Sequence, residues 1–311
     1  MSRFRLSPSA YRRITLVAAI LLGIIIITGG AVRLTGSGLG CPDWPSCRPD
    51  SLTPHGVRDG HAMVEFVNRV FTGAVSIAVI VCVLGSLLRD PRRRDLIWLS
   101  IGLVAGVFAQ AVLGGLTVLF DLRPEFVMSH FLLSLVLLTD AVVLYKRAGE
   151  PDTKAELQVE PRVRTLGRVL LVLTAIVVVS GTVVTSTGPH GGDEEAKRFD
   201  LNLEWVARTH GTMVILFLAL VLVTLALLRR THSPEPVQAR LGAVLLVACV
   251  QAAIGYIQYF NGTPALLVGF HIAGATALWA AVLWYYLGLF VRPGEADAPT
   301  GTAVASALQP A

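Results

Sequence analysis

Eight long apolar stretches constrain this 311-residue chain more than any other feature. They lie near residues 14–32, 64–88, 96–119, 124–145, 169–187, 205–228, 237–260 and 265–291. A helix that crosses the hydrocarbon of a bilayer needs about 20 mostly apolar residues, and each stretch suits that. The expected fold is therefore all-α and integral to a membrane, with eight transmembrane helices. A mean hydropathy of +0.66, with 54% hydrophobic residues, excludes an ordinary soluble domain. The first stretch is longer than the core of a signal peptide and lacks a small-residue cleavage site, so it reads as a retained helix. No long Arg/Ser-rich presequence stands before it, which points to a bacterial cell membrane and not an organelle.

The net charge of +5 is a topology signal. With the N-terminus taken as cytoplasmic, 18 of the 26 Lys and Arg fall on the inner side, among them Arg12, Arg92, Arg147, Arg168, Arg229 and Arg292. The excess of cations in inner loops sets orientation, so both termini are expected inside. Charge placed this way implies no nucleic-acid partner.

An internal repeat divides the spans into two sets of four. Gln110 to Gly114 matches Gln251 to Gly255, Pro124 to His130 matches Pro264 to His271, and Gly30 to Val32 matches Gly181 to Val183. Four helices is an even number, so both copies start on the same side. They are parallel repeats about an axis along the membrane normal, unlike the inverted repeats of many transporters. The expected organisation is an N-terminal four-helix half (1–147), a cytoplasmic linker (148–168), a C-terminal four-helix half (169–291) and a disordered tail (292–311). The outer segment 186–203 is polar and glycine-rich, and little regular structure is expected there.

Three histidines, His130, His210 and His271, lie within two turns of the outer ends of their helices, about 10 Å deep at 1.5 Å per residue. Ionisable groups inside membrane helices are costly and usually face a functional interior. Neutral imidazole is a ligand of heme iron, so His210 and His271 are expected to clamp a flat metal macrocycle. The bland alternative is that each histidine only hydrogen-bonds between helices. Gly274 and Ala275, one turn past His271, are expected to let the macrocycle approach that face. The repeat pairs His210 with Asn68, whose amide is a poor iron ligand beside imidazole, which leaves His130 as the good ligand of the first half. Glu65 lies one turn before Asn68 and four residues before Arg69. It reads either as a proton-moving carboxyl or as half of a salt bridge. Gln110 and Gln251 read as interhelical glue or as supports of the histidine sites. Cys41 and Cys47, in a proline-stiffened outer loop, read as a local disulfide, and Cys82 and Cys249 as core residues.

With these residues in view, the chain resembles the heme A synthase family over about 14–291. The resemblance rests on the run GGAVRLTGSGLGCPDWPSC ending at Cys47, the Glu65 segment, the three histidines and the two four-helix halves. It implies oxidation of a methyl group of heme O to a formyl group, giving heme A for terminal oxidase assembly. It also implies a heme b cofactor on His210 and His271, heme O in the N-terminal half at His130, and Glu65 as catalytic carboxylate. Cys41–Cys47 would be the family's outer-loop disulfide. Heme O, membrane lipid and a heme O synthase that supplies the substrate are the implied partners. One position departs from the family, which commonly has His where this chain has Asn68. Heme O is then expected on His130 alone, with Asn68 orienting oxygen or water at the opposite face. The competing expectation is a bis-histidine b-type electron-transfer membrane cytochrome without substrate chemistry.

Overall fold

The computed structural model describes residues 5–54 and 60–294. Its helices are α1 (Pro8–Leu34), α2 (Gly60–Leu88), α3 (Arg94–Leu119), α4 (Pro124–Ala148), α5 (Pro161–Thr187), α6 (Leu203–Arg230), α7 (Glu235–Phe260) and α8 (Ala265–Leu287). All eight are long and apolar enough to cross a membrane. The chain is thus an all-helical, multi-pass membrane protein. In lipid every backbone polar group needs an internal partner, which helices supply. Large side chains such as Trp98, Phe108, Phe260 and Leu266 are more than 70% exposed, which is tolerable only against hydrocarbon.

Local chemistry explains where the helices begin. Ser7 caps α1 by accepting from Ala10 N–H, with Pro8 in the first turn. Asn202 caps α6 by accepting from Trp205 N–H at 2.9 Å. Pro124 and Pro161 open α4 and α5, where a missing N–H leaves nothing unpaired. Several helices outrun the apolar stretch that marks them. Pro161 starts α5 well before residue 169, because Arg162, Arg164 and Arg168 continue the helix into the polar boundary. The non-helical linker is therefore 149–160, shorter than expected. At the other end α8 stops at Leu287 with Gly288 as its cap, short of 291. There Phe290–Val291 (β2) pairs antiparallel with Glu156–Leu157 (β1) of the linker. Residues 295–311, expected as a disordered tail, lie outside the described residues.

α1 packs on α2 and α4, α2 on α3, and α3 on α4; the same pattern recurs in α5 to α8. Contacts of α1 and α4 with α8, and of α4 with α5, join the sets. Each set has its own apolar core. One gathers Tyr11, Leu22, Val79, Leu96, Leu103 and Leu144, and the other Leu170, Phe217, Val221, Leu241, Val282 and Tyr285. Both cores fill the end that carries the termini and the linker (the terminal side). That end is also stapled by charge: Asp95 accepts from Arg93 at 2.7 Å and from Arg147 at 2.5 Å. The opposite end, the disulfide side, is less solidly filled with hydrocarbon, and the histidines sit there.

The segment 188–202 has no helix or strand, as expected, yet specific bonds hold it. Gly192 O accepts from Gly38 N–H at 2.8 Å, and Phe199 N–H donates to Ser186 O at 3.1 Å. Gly192 has φ +105°, which favours glycine.

Candidate functional site

His210 of α6 and His271 of α8 meet across the second set of helices, with ring centroids 6.3 Å apart and planes at 75°. α5 positions the first ring. Ser180 Oγ donates to Val177 O at 2.8 Å and lies 2.9 Å from His210 Nδ1. The hydroxyl proton is engaged by Val177, so Oγ accepts from Nδ1–H, and Nε2 keeps its lone pair. Such a bond to the outer nitrogen fixes the tautomer and aims the ligand nitrogen. Glycines make room for the rings. A Cβ on Gly181 would lie 3.1 Å from His210 Cε1, and one on Gly255 3.0 Å from His271 Cε1. Gln251 donates to His271 O at 2.6 Å and so ties α7 to α8 at the site.

The first set repeats this construction with one change. His130 of α4 lies against Gly114 of α3, whose added Cβ would be 3.1 Å from Cε1. Gln110 donates to His130 O at 3.0 Å and to Ser134 Oγ at 2.6 Å. The counterpart of His210 on α2 is Asn68, whose Oδ1 accepts from Thr28 Oγ1 at 2.8 Å. By these contacts Thr28 and Gly29 occupy the places of Ser180 and Gly181, one residue out of the register expected from matching Gly30 to Val32 with Gly181 to Val183. A Cβ on Gly29 would meet nothing within 4 Å, because no imidazole leans on it. The turns before α4 and α8 also match, with Asp121–Leu122 and Gly262–Thr263 both at positive φ.

Glu65 is 6% exposed, and both of its oxygens are engaged. Oε1 accepts from Arg69 Nη2 at 2.6 Å and Nε at 3.1 Å, and Oε2 accepts from Cys41 N–H at 2.8 Å. Arg69 also donates to the carbonyls of Cys41, Asp43 and Ser46 at 2.9 to 3.1 Å. The salt bridge expected from the spacing is therefore present and clamps the loop. Cys41 and Cys47 are disulfide-bonded in that loop. Trp44, between them, lies over Gly115 of α3, directly beside the glycine that receives His130.

Two side-chain expectations need correction. Gly274 does not offer an open face, because a Cβ there would collide with Gln251 Oε1; that surface belongs to the α7–α8 contact. Cys82 is buried as expected, but Cys249 is exposed on the lipid-facing side of α7. Gln110 and Gln251 are both glue and support, since the carbonyls they bind are those of the histidines. Spacing within a helix gave no sign of Ser180, Thr28 or Trp44. The glycines were visible only as repeat matches.

The donor set fits a metal macrocycle. Among the described residues, no three or more His, Cys, Asp or Glu converge as a cage for a bare ion. Two imidazoles alone leave a metal short of ligands, whereas a porphyrin brings its own four. A metal–imidazole bond is about 2 Å, so two rings flanking one metal have centres about 6 Å apart, in agreement with the observed 6.3 Å. Nδ1 of His130 and of His271 are buried without a hydrogen-bond partner among the described residues.

Fold and site together define a helical membrane protein in which two imidazoles face each other within one helix set. The chain belongs to the cytochrome oxidase assembly protein family (COX15-CtaA), which it matches over residues 12–56, 56–189 and 193–309. It is 33% identical to a heme A synthase of Shewanella oneidensis over 150 residues, 43% of this chain and 44% of the relative. It is 29% identical to one of Lysinibacillus sphaericus over 181 residues, covering 55% and 57% of the two chains. In these two the chain spans about half the length of the relative it matches. A heme A synthase of Macrococcus caseolyticus is 23% identical over 292 residues, 88% of this chain and 95% of the relative.

Proposed function

We propose that this protein is a heme A synthase, oxidising a methyl group of heme O to a formyl group and supplying heme A for terminal oxidase assembly. The observation that carries the reading is the pair of facing imidazoles, His210 and His271, together with a first helix set that repeats the glycine and glutamine contacts around His130 and has an amide, Asn68, as the counterpart of His210. The names of the relatives agree with it. The matched contacts of Gly114 with Gly255 and of Gln110 with Gln251 support two parallel copies, an N-terminal half ending near residue 147 and a C-terminal half ending near 291.

In this reading His210 and His271 hold heme b through their Nε2 atoms; Ser180 keeps the His210 ring in place, and Gln251 ties the backbone of His271 to α7. Bound there, heme b supplies one-electron transfer at a potential set by its ligands and pocket. His130 holds the substrate, heme O. Thr28 occupies Oδ1 of Asn68, so the amide hydrogens face the remaining side, where they orient water or dioxygen. Glu65 is the proton-moving carboxylate. Taking a proton at Oε2 displaces the Cys41 N–H, which links proton uptake to the disulfide loop. The inner cluster of cations supports a bacterial cell membrane location with both termini cytoplasmic. A heme O synthase is the natural supplier of substrate.

Membranes supplied with heme O, extracted and chromatographed by heme type, test this. The wild type should convert heme O to heme A, His130→Ala should not, and Glu65→Gln should lose most turnover or stop at the alcohol. Unchanged heme O beside a tightly held heme b would instead identify an electron-transfer cytochrome.

A further inference from the structure

A cavity of about 430 Å³ opens on the disulfide side of the second helix set, lined by Thr187, Arg198, Leu203, Tyr259 and Thr263 among others. Its walls continue the elements that build the imidazole pair. Thr187 ends α5 beyond Gly181, and Leu203 opens α6 ahead of His210. Tyr259 follows Gly255 by one turn of α7, and Thr263 precedes α8 and His271. These offsets of four to eight residues put the cavity about 6–12 Å nearer the surface than the rings, at 1.5 Å per residue. Among the described residues, Arg198 is the only charged one lining it.

Arg33 of α1 braces the wall that carries Thr187 from behind. Its guanidinium is fixed by donation to His190 O at 2.7 Å and Thr185 O at 3.0 Å. Among the described residues neither arginine is ion-paired with a carboxylate. A guanidinium at such a mouth, not ion-paired with a carboxylate, suits an anion.

We infer that this cavity is the carboxylate subsite of the ligand clamped by His210 and His271, with Arg198 as its positioning residue. The inference rests on the heme reading above: a heme of the b type carries two propionate groups on one edge, and the cavity lies on the surface side of the imidazoles, where Arg198 would hold that edge. A charge-assisted hydrogen bond at a partly exposed site suits a preference of about tenfold, equivalent to about 1.4 kcal/mol.

The test uses the full-length protein purified with its pigment and measures the rate of heme transfer to excess apomyoglobin. Arg198→Gln should release heme about tenfold faster than wild type, and Arg198→Lys within about threefold, with the absorption bands of the bound pigment unchanged in both. Protein reloaded with the dimethyl ester of protoheme, which lacks free carboxylates, should release it equally fast with or without Arg198→Gln. Equal release of free-acid heme by wild type and Arg198→Gln overturns the subsite, as does a tenfold difference that persists with the ester. Failure of the parent reading shows earlier and separately: the wild type is then colourless, or its bands survive His210→Ala.

Discussion

The two halves of the molecule carry the same scaffold around different ligand sets. In the second, Ser180 orients His210 and Gly181 yields space to its ring. In the first, Thr28 occupies the place of Ser180 but binds an amide, and Gly29 faces open space. A supporting shell can thus persist where the group it supports has changed. The covers differ as well. The disulfide loop lays Trp44 on Gly115 beside the glycine that receives His130, whereas the second set opens to a cavity beside Arg198. On the proposed reading, the half that holds Glu65 is the one for chemistry, and the half with two imidazoles is the one that keeps a cofactor.

The largest expected effect separates the halves at once. His271→Ala should abolish the tightly bound heme b spectrum, while His130→Ala leaves it intact; equal loss from both variants would break the comparison. Next comes the loop found only in the first half. The disulfide spans six positions, and closing so short a loop contributes about 2 kcal/mol in the chain-entropy view. Cys41→Ser should lower the thermal midpoint accordingly and free Trp44, seen as a red shift in its fluorescence, without altering the heme b bands. The smallest effects come from matched glycines. Gly181→Ala presses on His210 and should weaken heme b retention. Gly29→Ala meets nothing and should raise stability by up to about 1 kcal/mol, the helix-propensity gain of alanine. Heme retention and melting of the two variants side by side check the pair.

Hydropathy made all eight helices legible, because a bilayer span is a property of a continuous run. The depth of His130, His210 and His271 was legible for the same reason. Helix ends were less so: Arg162 and Arg164 carry α5 past the apolar run, and Gly288 stops α8 before it ends. What spacing along one helix cannot reveal is what a neighbouring helix presents. Gly274 therefore looked open until Gln251 of α7 was seen to fill its place, and Cys249 looked interior until its side of α7 proved lipid-facing. Ser180 and Thr28 are ordinary hydroxyl residues by sequence, and only the fold sets them against His210 and Asn68.

The central claim is that one site offers two imidazoles and the other an imidazole and an amide. Carbon monoxide titration of the reduced protein, loaded with heme in both halves, tests it most directly. Because a sixth ligand blocks the gas, about half of the heme should bind carbon monoxide in the wild type, and Asn68→His, with Thr28 ready to orient the new ring, should abolish that fraction. Wild-type protein that binds no carbon monoxide, or an Asn68→His variant that binds as much as wild type, would contradict the account.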